Sequence, residues 1–308
     1  MLWAALATIY IVWGSTYLAI RVMVETVPPL LGAGVRFALA GAVFLAILRL
    51  RGGPERVRIT RAQALGAALA GNLLCFGGNG LVTVAEQEVP SGLTALIIGS
   101  VPLWVVLMRL GEGDRPGRGT LAGVVVGFVG LAVLVLPGDR PDGAPLWGVL
   151  LIVLAAILWA SGSFYSKRMT LPRDPLVSTA WQMLIAGATM MAAGLAVGEA
   201  SDLDPSGFST DSLLALAYLI TFGSMLAYTA YTWLLTNAPI STVTTYAYVN
   251  PVIALALGAA ILSEEITAVL LVGATAIVAA VATVVRGEAA ATPARTRRRW
   301  WRRASPSG

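Results

Sequence analysis

Histidine is absent from the 308 residues of this chain, and cysteine and lysine occur once each. Without histidine, a metal site or a general acid–base pair lacks its commonest side chain. The single cysteine, Cys75, permits no internal disulfide and lies in an apolar run, so we expect a small buried side chain there. With Lys167 as the lone lysine, the chain lacks the glycine-rich phosphate loop of nucleotide hydrolases. No metal, no cofactor and no catalytic residue is expected.

Charged side chains are scarce as well. They make up 12% of the chain, against about 25% in an ordinary soluble protein, while hydrophobic residues make up 57%. Apolar runs of roughly 18 to 25 residues recur, each long enough to cross a hydrocarbon core, and they lack the period of two that a barrel wall requires. The sequence therefore predicts an all-α integral membrane protein with ten transmembrane helices: 2–23, 29–48, 63–85, 89–109, 118–136, 146–166, 176–198, 212–235, 239–262 and 267–285.

The orientation of the chain follows from its basic residues. The first apolar segment has no basic leader and exceeds a signal-peptide core, so we interpret it as the first helix. Arginine and lysine cluster in alternate loops, at 49–61, 109–118 and 167–173, and in the C-terminal tail, whereas the other loops are mostly acidic. Because cytoplasmic loops hold the basic excess, both termini are predicted to be cytoplasmic, although Arg21 runs against the bias.

The tail, 288–308, contains RTRRRWWRR and is predicted to be a disordered basic segment. Basic residues near anionic lipid gain about 1 kcal/mol each, so the bilayer surface is its expected partner. Nucleic acid is the other partner that a net charge of +5 suggests. We reject nucleic acid because the arginines lie where membrane orientation already requires them.

An internal repeat divides the chain. IVWGSTYLAIR in the first helix aligns with ILWASGSFYSKR in the sixth, so that Trp13 matches Trp159, and RFALAGA aligns with QMLIAGA at the same offset, so that Arg36 matches Gln182. Each copy holds five helices, an odd number, so the second copy enters the membrane from the opposite side. We therefore predict two inverted five-helix repeats, at 1–140 and 141–287.

Two prolines occupy matching places in the repeats. After a small slip of the alignment, Pro102 in helix four pairs with Pro251 in helix nine. Each proline removes a backbone hydrogen bond, from the carbonyl of Ile98 and from that of Ala247. Matched interruptions in inverted repeats indicate a central substrate site, with the prolines as hinges. Packing between neighbouring helices is the alternative.

Helix three carries Asn72, Asn79 and Glu86 at a spacing of seven, which places them on nearly one face. Ionisable groups in a membrane are costly and usually face a cavity or a partner. Glu86 lies near the outer end of its helix, so we expect partial hydration, and both a coupling role and a structural role stay open. The long side chain of Arg36 in helix two can extend to the interface, so its simplest role is structural, with a pairing to Glu86 left open.

Helices eight and nine have unusually polar faces. Tyr228 and Tyr231 share one face with Ser224, and Tyr246 shares another with Asn250. A tyrosine ring and hydroxyl suit an organic ligand better than a bare ion, so the tyrosines and Asn250 are candidate ligand-binding residues. The neighbouring threonines are better explained as hydrogen-bonding glue between helices.

Helix five contains Gly119, Gly123 and Gly127 at a spacing of four. Such a small-residue ridge permits close helix packing. The pattern does not separate packing within the molecule from packing between two copies, so a monomer and a homodimer both stay open.

Five segments recur in a characteristic order and spacing: WGSTYLAIR, RFALAG, AEQEVPSGLTALIIGSVPLW, LAYTAYTWLL and YVNPVIALALGAAILSEEIT. Together they resemble EamA-type members of the drug/metabolite transporter superfamily, which are ten-helix bacterial inner-membrane exporters. The resemblance covers about 1–286 and implies a central cavity lined by helices one, three, four, six, eight and nine. On matching positions it implies that the residues in or beside the cavity are Trp13, Ser15, Glu86, Pro102, Trp159, Tyr228, Asn250 and Pro251. Glu264 matches a family glutamate for which structural and transport roles both stay open.

The predicted function is secondary transport: export of small organic metabolites, amino acids or toxic compounds by alternating access, with proton coupling through Glu86 left open. The candidate cavity residues are Trp13, Ser15, Asn79, Glu86, Trp159, Tyr228, Tyr231, Tyr246 and Asn250, with Pro102 and Pro251 as hinges. The expected partners are a small-molecule substrate and the lipid bilayer, and the expected location is the bacterial cytoplasmic membrane. A membrane-embedded protein without transport, such as a lipid-modifying enzyme or a sensor, is the alternative.

Overall fold

The computed structural model of the protein describes residues 1–135, 143–201 and 203–291. These residues form helices and no strand. The helices that build the bundle are α1 (Leu2–Met23), α2 (Pro29–Gly52), α3 (Arg61–Ala85), α4 (Ser91–Gly111), α5 (Arg118–Val135), α6 (Leu146–Arg168), α7 (Pro175–Ala196), α8 (Thr210–Asn237), α9 (Ile240–Val243 with Tyr246–Ile261) and α10 (Ala268–Ala291). Within the described ranges, nine are long and apolar enough to cross a membrane, and α9 contains a shorter apolar helix. The predicted ten-helix fold is confirmed.

The predicted helix ends differ from the observed ones by a few residues. The largest difference is in α10, which continues to Ala291 where the sequence predicted an end at 285. The remainder of the tail, 292–308, and the disorder predicted for it lie outside the described residues.

Prolines and short polar side chains begin several helices. Pro29 and Pro175 stand at the first position of α2 and α7, where a missing N–H costs nothing and the fixed φ favours the helix. Asp174 precedes Pro175 and accepts hydrogen bonds from the next backbone N–H groups. Thr60 and Gln63 form a reciprocal capping box at the start of α3. Local sequence thus determines where these helices start.

The two ends of the bundle differ in charge. We call the end that bears Glu86, Glu199 and Glu264 the acidic end, and the end that bears Arg56 and Arg168 the basic end. At the acidic end, carboxylates of the second repeat cap helices of the first. Glu199 accepts from the backbone N–H groups of Leu30 and Leu31 at 3.0 and 2.8 Å, at the start of α2. The halves are therefore joined by charge-assisted hydrogen bonds at positive helix termini.

Glu264 has the same role on α4. Its Oε1 accepts from the Ser91 N–H at 2.7 Å and its Oε2 from the Gly92 N–H at 2.9 Å. Gly258 leaves the space for this carboxylate, because a Cβ there would collide with the Glu264 side chain. Of the two roles left open for Glu264, the structure provides the structural one.

Helices α2 and α7 meet through paired glycines. A Cβ on Gly41 would lie 2.6 Å from the carbonyl oxygen of Ala180, and a Cβ on Gly187 would lie 2.7 Å from that of Gly34. Gly41 and Gly187 match in the repeat, as do Gly34 and Ala180, so each half makes the same contact with the other. A two-fold relation between the two repeats requires reciprocal contacts of this kind.

The glycine ridge of α5 packs within the molecule. Gly123 and Gly127 lie against α10, where a Cβ would be 3.2 Å from the Ala280 carbonyl oxygen and 3.0 Å from the Ala280 side chain respectively. Gly119 has no such neighbour. Most of the ridge is therefore occupied by α10, which is an intramolecular partner.

Candidate functional site

Two helices widen into a π-helical segment at mid-length. The segments are Asn72–Gly80 in α3 and Leu219–Leu226 in α8, and they occupy matching places in the repeats. Such segments replace i→i+4 with i→i+5 hydrogen bonds and are frequent at functional sites. Their glycines, Gly78 and Gly223, keep the backbone accessible to side chains of neighbouring helices.

Each π-helical segment faces a tryptophan of the other repeat. The Trp13 Nε1–H of α1 donates to the Gly223 carbonyl of α8 at 3.2 Å. The Trp159 ring of α6 packs against Gly78 of α3, where a Cβ would collide with it. The matching of Trp13 with Trp159 in the sequence thus corresponds to matching positions in space.

Helices α4 and α9 are both interrupted, but only in α4 does the interruption lie next to the predicted proline. In α4 a turn at Gly99 and Ser100 separates two helical segments, and Pro102 stands near the start of the second. In α9 the interruption precedes Tyr246, and Pro251 lies inside the helix that follows. The interruptions are therefore not identical in the two halves, because the turn lies next to one proline and several residues before the other.

A cavity of about 430 Å³ occupies the centre of the bundle. Small-molecule sites usually fall between about 300 and 1,000 Å³. The candidate residues that line it are Trp13, Asn79, Pro102, Trp159, Tyr228, Tyr231, Tyr246, Asn250 and Pro251. Ile98 and Ala247, whose carbonyls the prolines were predicted to free, line it as well. The cavity thus lies where α4 and α9 are broken.

An aromatic cluster forms one wall. The Trp13 ring lies with its centroid 5.2 Å from those of Tyr228, Tyr231 and Tyr246, and Tyr231 and Tyr246 are 6.0 Å apart. Tilted and edge-to-face contacts of this kind favour a fixed arrangement of rings. The same rings border an adjoining cavity of about 100 Å³ that also touches Trp159. The cluster brings α1, α8 and α9 together around the cavity.

Ser15 does not line either cavity among the residues described. Its hydroxyl lies 2.6 Å from the Tyr218 hydroxyl of α8 and donates to carbonyls of its own helix. The cavity face of α1 instead carries Trp13, Thr16, Tyr17 and Ile20. Sequence reasoning missed the last three, although their spacing from Trp13 is the helical period that identifies one face.

Glu86 is fully buried, so the expected partial hydration is wrong. It does not line the central cavity, and neither carboxylate oxygen has a hydrogen-bond partner within the described chain. The Arg21 guanidinium donates to the backbone carbonyls of Glu86 and Gln87, which holds this turn against α1. The position of a residue near a helix end indicates its depth in the membrane. Its burial depends instead on which side chains pack over that end.

The structure does not bring Asn72, Asn79 and Glu86 to the cavity together. Only Asn79 lines the central cavity, whereas the Asn72 amide donates to the Ala68 carbonyl one turn earlier. The π-helical segment Asn72–Gly80 contains Asn72 and Asn79 and precedes Glu86, and its wider turns depart from the seven-residue register that a regular helix keeps.

Arg36 does not extend to the interface. It is 3% exposed and lines the central cavity, with Nε donating to the Ser224 Oγ at 3.0 Å and its guanidinium 4.6 Å from the centroid of the Phe37 ring. The side chain turns inward because Ser224 and Phe37 supply contacts there. The snorkelling that its length allows does not occur, and no ion pair with Glu86 forms among the described residues.

The cavity reaches the basic end of the bundle and is closed at the acidic end. Arg109 and Lys167 of the basic end line it. Toward the acidic end, buried apolar side chains, including Met23, Val82 and Leu219, fill the space between helices. The site is thus accessible from one end of the molecule.

A ten-helix bundle with broken helices around a central cavity defines a multi-pass membrane transporter. Residues 1–136 and 146–286 both match the model of the EamA-like transporter family, and the chain belongs to this family. The resemblance found in the sequence is confirmed.

Named relatives agree with this assignment, and one solved structure agrees with the fold. The uncharacterized inner membrane transporter YedA of Escherichia coli K12 is 41% identical over 93% of this chain and 91% of its own. A probable amino-acid metabolite efflux pump of Salmonella typhimurium is 28% identical over 88% and 90%. A crystal structure of a protein that is 22% identical superposes with a TM-score of 0.63, over 91% of this chain and 96% of the other, which shows the fold alone.

Proposed function

We propose that the protein is a secondary transporter that exports small organic metabolites, in the range of amino acids and toxic organic compounds, by alternating access. The observation that carries this proposal is the central cavity, which lies between the repeats, is lined by aromatic rings and hydroxyls, and is accessible from one end. The relative named as an amino-acid metabolite efflux pump supports the direction and the substrate range.

The proposed location is the bacterial inner membrane, with both termini in the cytoplasm. The distribution of basic residues supports this orientation. The basic end then faces the cytoplasm, so the cavity is open inward and substrate enters beside Arg109 and Lys167. In this inward-open state, an exporter binds its substrate from the cytoplasm.

Transport requires the two repeats to move relative to each other around the cavity. The turn at Gly99 and Ser100 and the turn before Tyr246 are the proposed hinges, with Pro102 next to the first and Pro251 inside the helix that follows the second. Helix interruptions of this kind absorb backbone changes while the packed segments stay rigid. Opening of the acidic end would part the apolar side chains of Met23, Val82 and Leu219.

Glu86 is the proposed coupling residue. A charged carboxylate without a partner in the interior is costly, and a proton removes that cost. Glu86 is such a group within the described chain. A proton gained from one side and released to the other during rocking would couple transport to the proton gradient without contact between Glu86 and the substrate.

The coupling is tested with Glu86→Gln, and exposed Glu88→Gln is the matched control. In proteoliposomes, Glu86→Gln should retain counterflow, which needs no gradient, and lose uptake driven by a pH gradient. Glu88→Gln should retain both activities. Unchanged gradient-driven transport in Glu86→Gln would remove Glu86 from the mechanism.

The transport function itself is tested by counterflow with a panel of amino acids, organic acids and cationic dyes. We expect saturable counterflow that Trp13→Ala, Tyr246→Ala and Asn250→Ala reduce at least tenfold. Val125→Ala, on an exposed face of α5, should have no effect. The absence of saturable movement for every compound, in protein that melts cooperatively, would favour a membrane protein without transport.

A further inference from the structure

The geometry assigns Arg36 as a binding site for the carboxylate of a substrate, which makes organic carboxylates, with or without an amino group, the substrate class. This inference rests on the proposed transport function. It goes beyond that function because it selects compounds with a free carboxylate from a range that also includes organic cations and neutral compounds.

The Arg36 side chain is held in a fixed position and is left with unused donors. Its Nε bonds to Ser224 at 3.0 Å, and its guanidinium lies over the Phe37 ring. Its two terminal nitrogens have no hydrogen-bond partner among the described residues and are not sealed from the cavity that Arg36 lines. Two parallel N–H donors on a planar group match the two oxygens of a carboxylate.

Packing of the fold does not require an arginine here. The matching residue of the second repeat is Gln182, whose amide donates to Ser178 one turn earlier on its own helix at 2.9 Å. The position that matches Ser224 is Gly78, which packs against Trp159. The arginine and its serine partner therefore occur in one repeat only, which favours a role in the cavity over a role in the fold.

The cavity lining is positively charged. It includes Arg36, Arg109 and Lys167, and no aspartate or glutamate occurs among its described lining residues. Arg109 pairs with Asp114 at the basic end, whereas Arg36 forms no ion pair in the described chain. Low-dielectric walls strengthen the field of a buried cation, so an anion is attracted from the basic end and a cation is repelled.

The rest of the cavity suits an apolar organic body. The rings of Trp13, Tyr228 and Tyr246 provide flat apolar surface. Asn250 lines the cavity as well, and its buried amide oxygen has no hydrogen-bond partner among the described residues. The expected substrate is thus a small carboxylate with an aromatic or branched apolar part.

The test compares four compounds of one shape: 3-phenylpropionate, phenylalanine, 3-phenylpropanamide and phenethylamine. Binding to the full-length protein in nanodiscs is followed by tryptophan fluorescence, since two tryptophans line the cavity. Wild-type protein should bind the two carboxylates on the order of 10- to 100-fold more tightly than the amide, and phenethylamine least. Equal or reversed affinities in wild-type protein would overturn the assignment without any variant.

Variants locate the site. Arg36→Gln should raise Kd for the carboxylates by about the factor of 10 to 100 by which wild-type protein prefers them to the amide. It should change Kd for the amide by less than twofold. Arg36→Lys keeps the charge and loses the paired donors, so it should recover part of the affinity. Ser224→Ala should weaken carboxylate binding in the wild-type background and have no effect in the Arg36→Gln background. Ser178→Ala, the matched control on α7, should leave the anion preference unchanged.

The outcomes separate this inference from the transport function. Carboxylate binding without counterflow would retain the anion site and argue against transport. Counterflow of amines or amides in preference to carboxylates would retain transport and reject the anion site. An Arg36→Gln effect equal on all four compounds, with an unchanged melting temperature, would also reject it.

Discussion

Single carboxylates join the two repeats at the acidic end. Glu199 and Glu264 each accept two backbone N–H groups at the start of a helix in the other repeat. The first N–H groups of a helix have no partner within that helix, and the helix dipole favours a negative charge there. These two residues therefore satisfy groups that would otherwise be buried without partners.

Replacement of Glu264 by glutamine should destabilise the protein by about 1 to 2 kcal/mol. Glutamine keeps the size but has one acceptor oxygen, loses the charge and turns an NH₂ group toward backbone donors. The measurement is the thermal melting of purified protein in detergent. Glu265→Gln, its exposed neighbour, should melt like wild type, and equal melting of all three proteins would argue against the capping role.

A second residue-scale prediction concerns pH at the basic end. Hydrogen bonds from the Arg168 guanidinium hold the pKa of the Glu112 carboxyl below its ordinary value of 4.5. A carboxyl with a lowered pKa contributes stability above its unfolded pKa and loses it as pH falls through its folded pKa. The stability difference between wild type and Glu112→Gln should therefore be largest at neutral pH and should decrease as the pH falls through the lowered pKa of the folded-state carboxyl. Melting curves across this range measure it, and a difference that persists unchanged at low pH would contradict the ion-pair explanation.

At the scale of elements, the contact between α2 and α7 depends on glycine. An alanine at Gly41 would place a methyl 2.6 Å from a backbone oxygen of α7, and an alanine at Gly187 would do the same to α2. Because backbone atoms on both sides would have to move, each substitution should cost about 1 to 3 kcal/mol. Gly119→Ala, which meets nothing within 4 Å, is the control and should be neutral or slightly stabilising. Equal melting temperatures of the three variants would show that α2 and α7 can move apart without loss of stability.

The helices also show which structural features can be predicted from the sequence pattern and which cannot. Hydrophobic length predicts the helices because it is a local property, and Pro102 and Pro251 indicate the interrupted ones. The π-helical segments were missed, since α3 and α8 read as regular helices in the sequence. The tyrosines of α8 and α9 line the cavity, whereas Glu86 does not.

At the scale of the whole molecule, the proposed orientation predicts which side reaches the cavity. In a Cys75→Ser background, Ser163→Cys in the cavity wall should react with a membrane-impermeant maleimide in inside-out vesicles and resist it in spheroplasts. Glu25→Cys, exposed at the acidic end, should show the opposite pattern. Reaction of Glu25→Cys in inside-out vesicles would reverse the orientation, and reaction of Ser163→Cys from both sides would indicate that both cavity states are populated.

The sequence by itself determined the class of protein, the ten helices, the repeat and most of the aromatic wall. These properties depend on composition, run length and spacing, which are local to the chain. The tertiary structure decided the burial of Glu86, the inward turn of Arg36, the partners of Glu199 and Glu264, and the separation of Ser15 from the cavity. Each of these depends on which side chains distant segments bring within bonding distance, and that proximity is created only when the two repeats pack together.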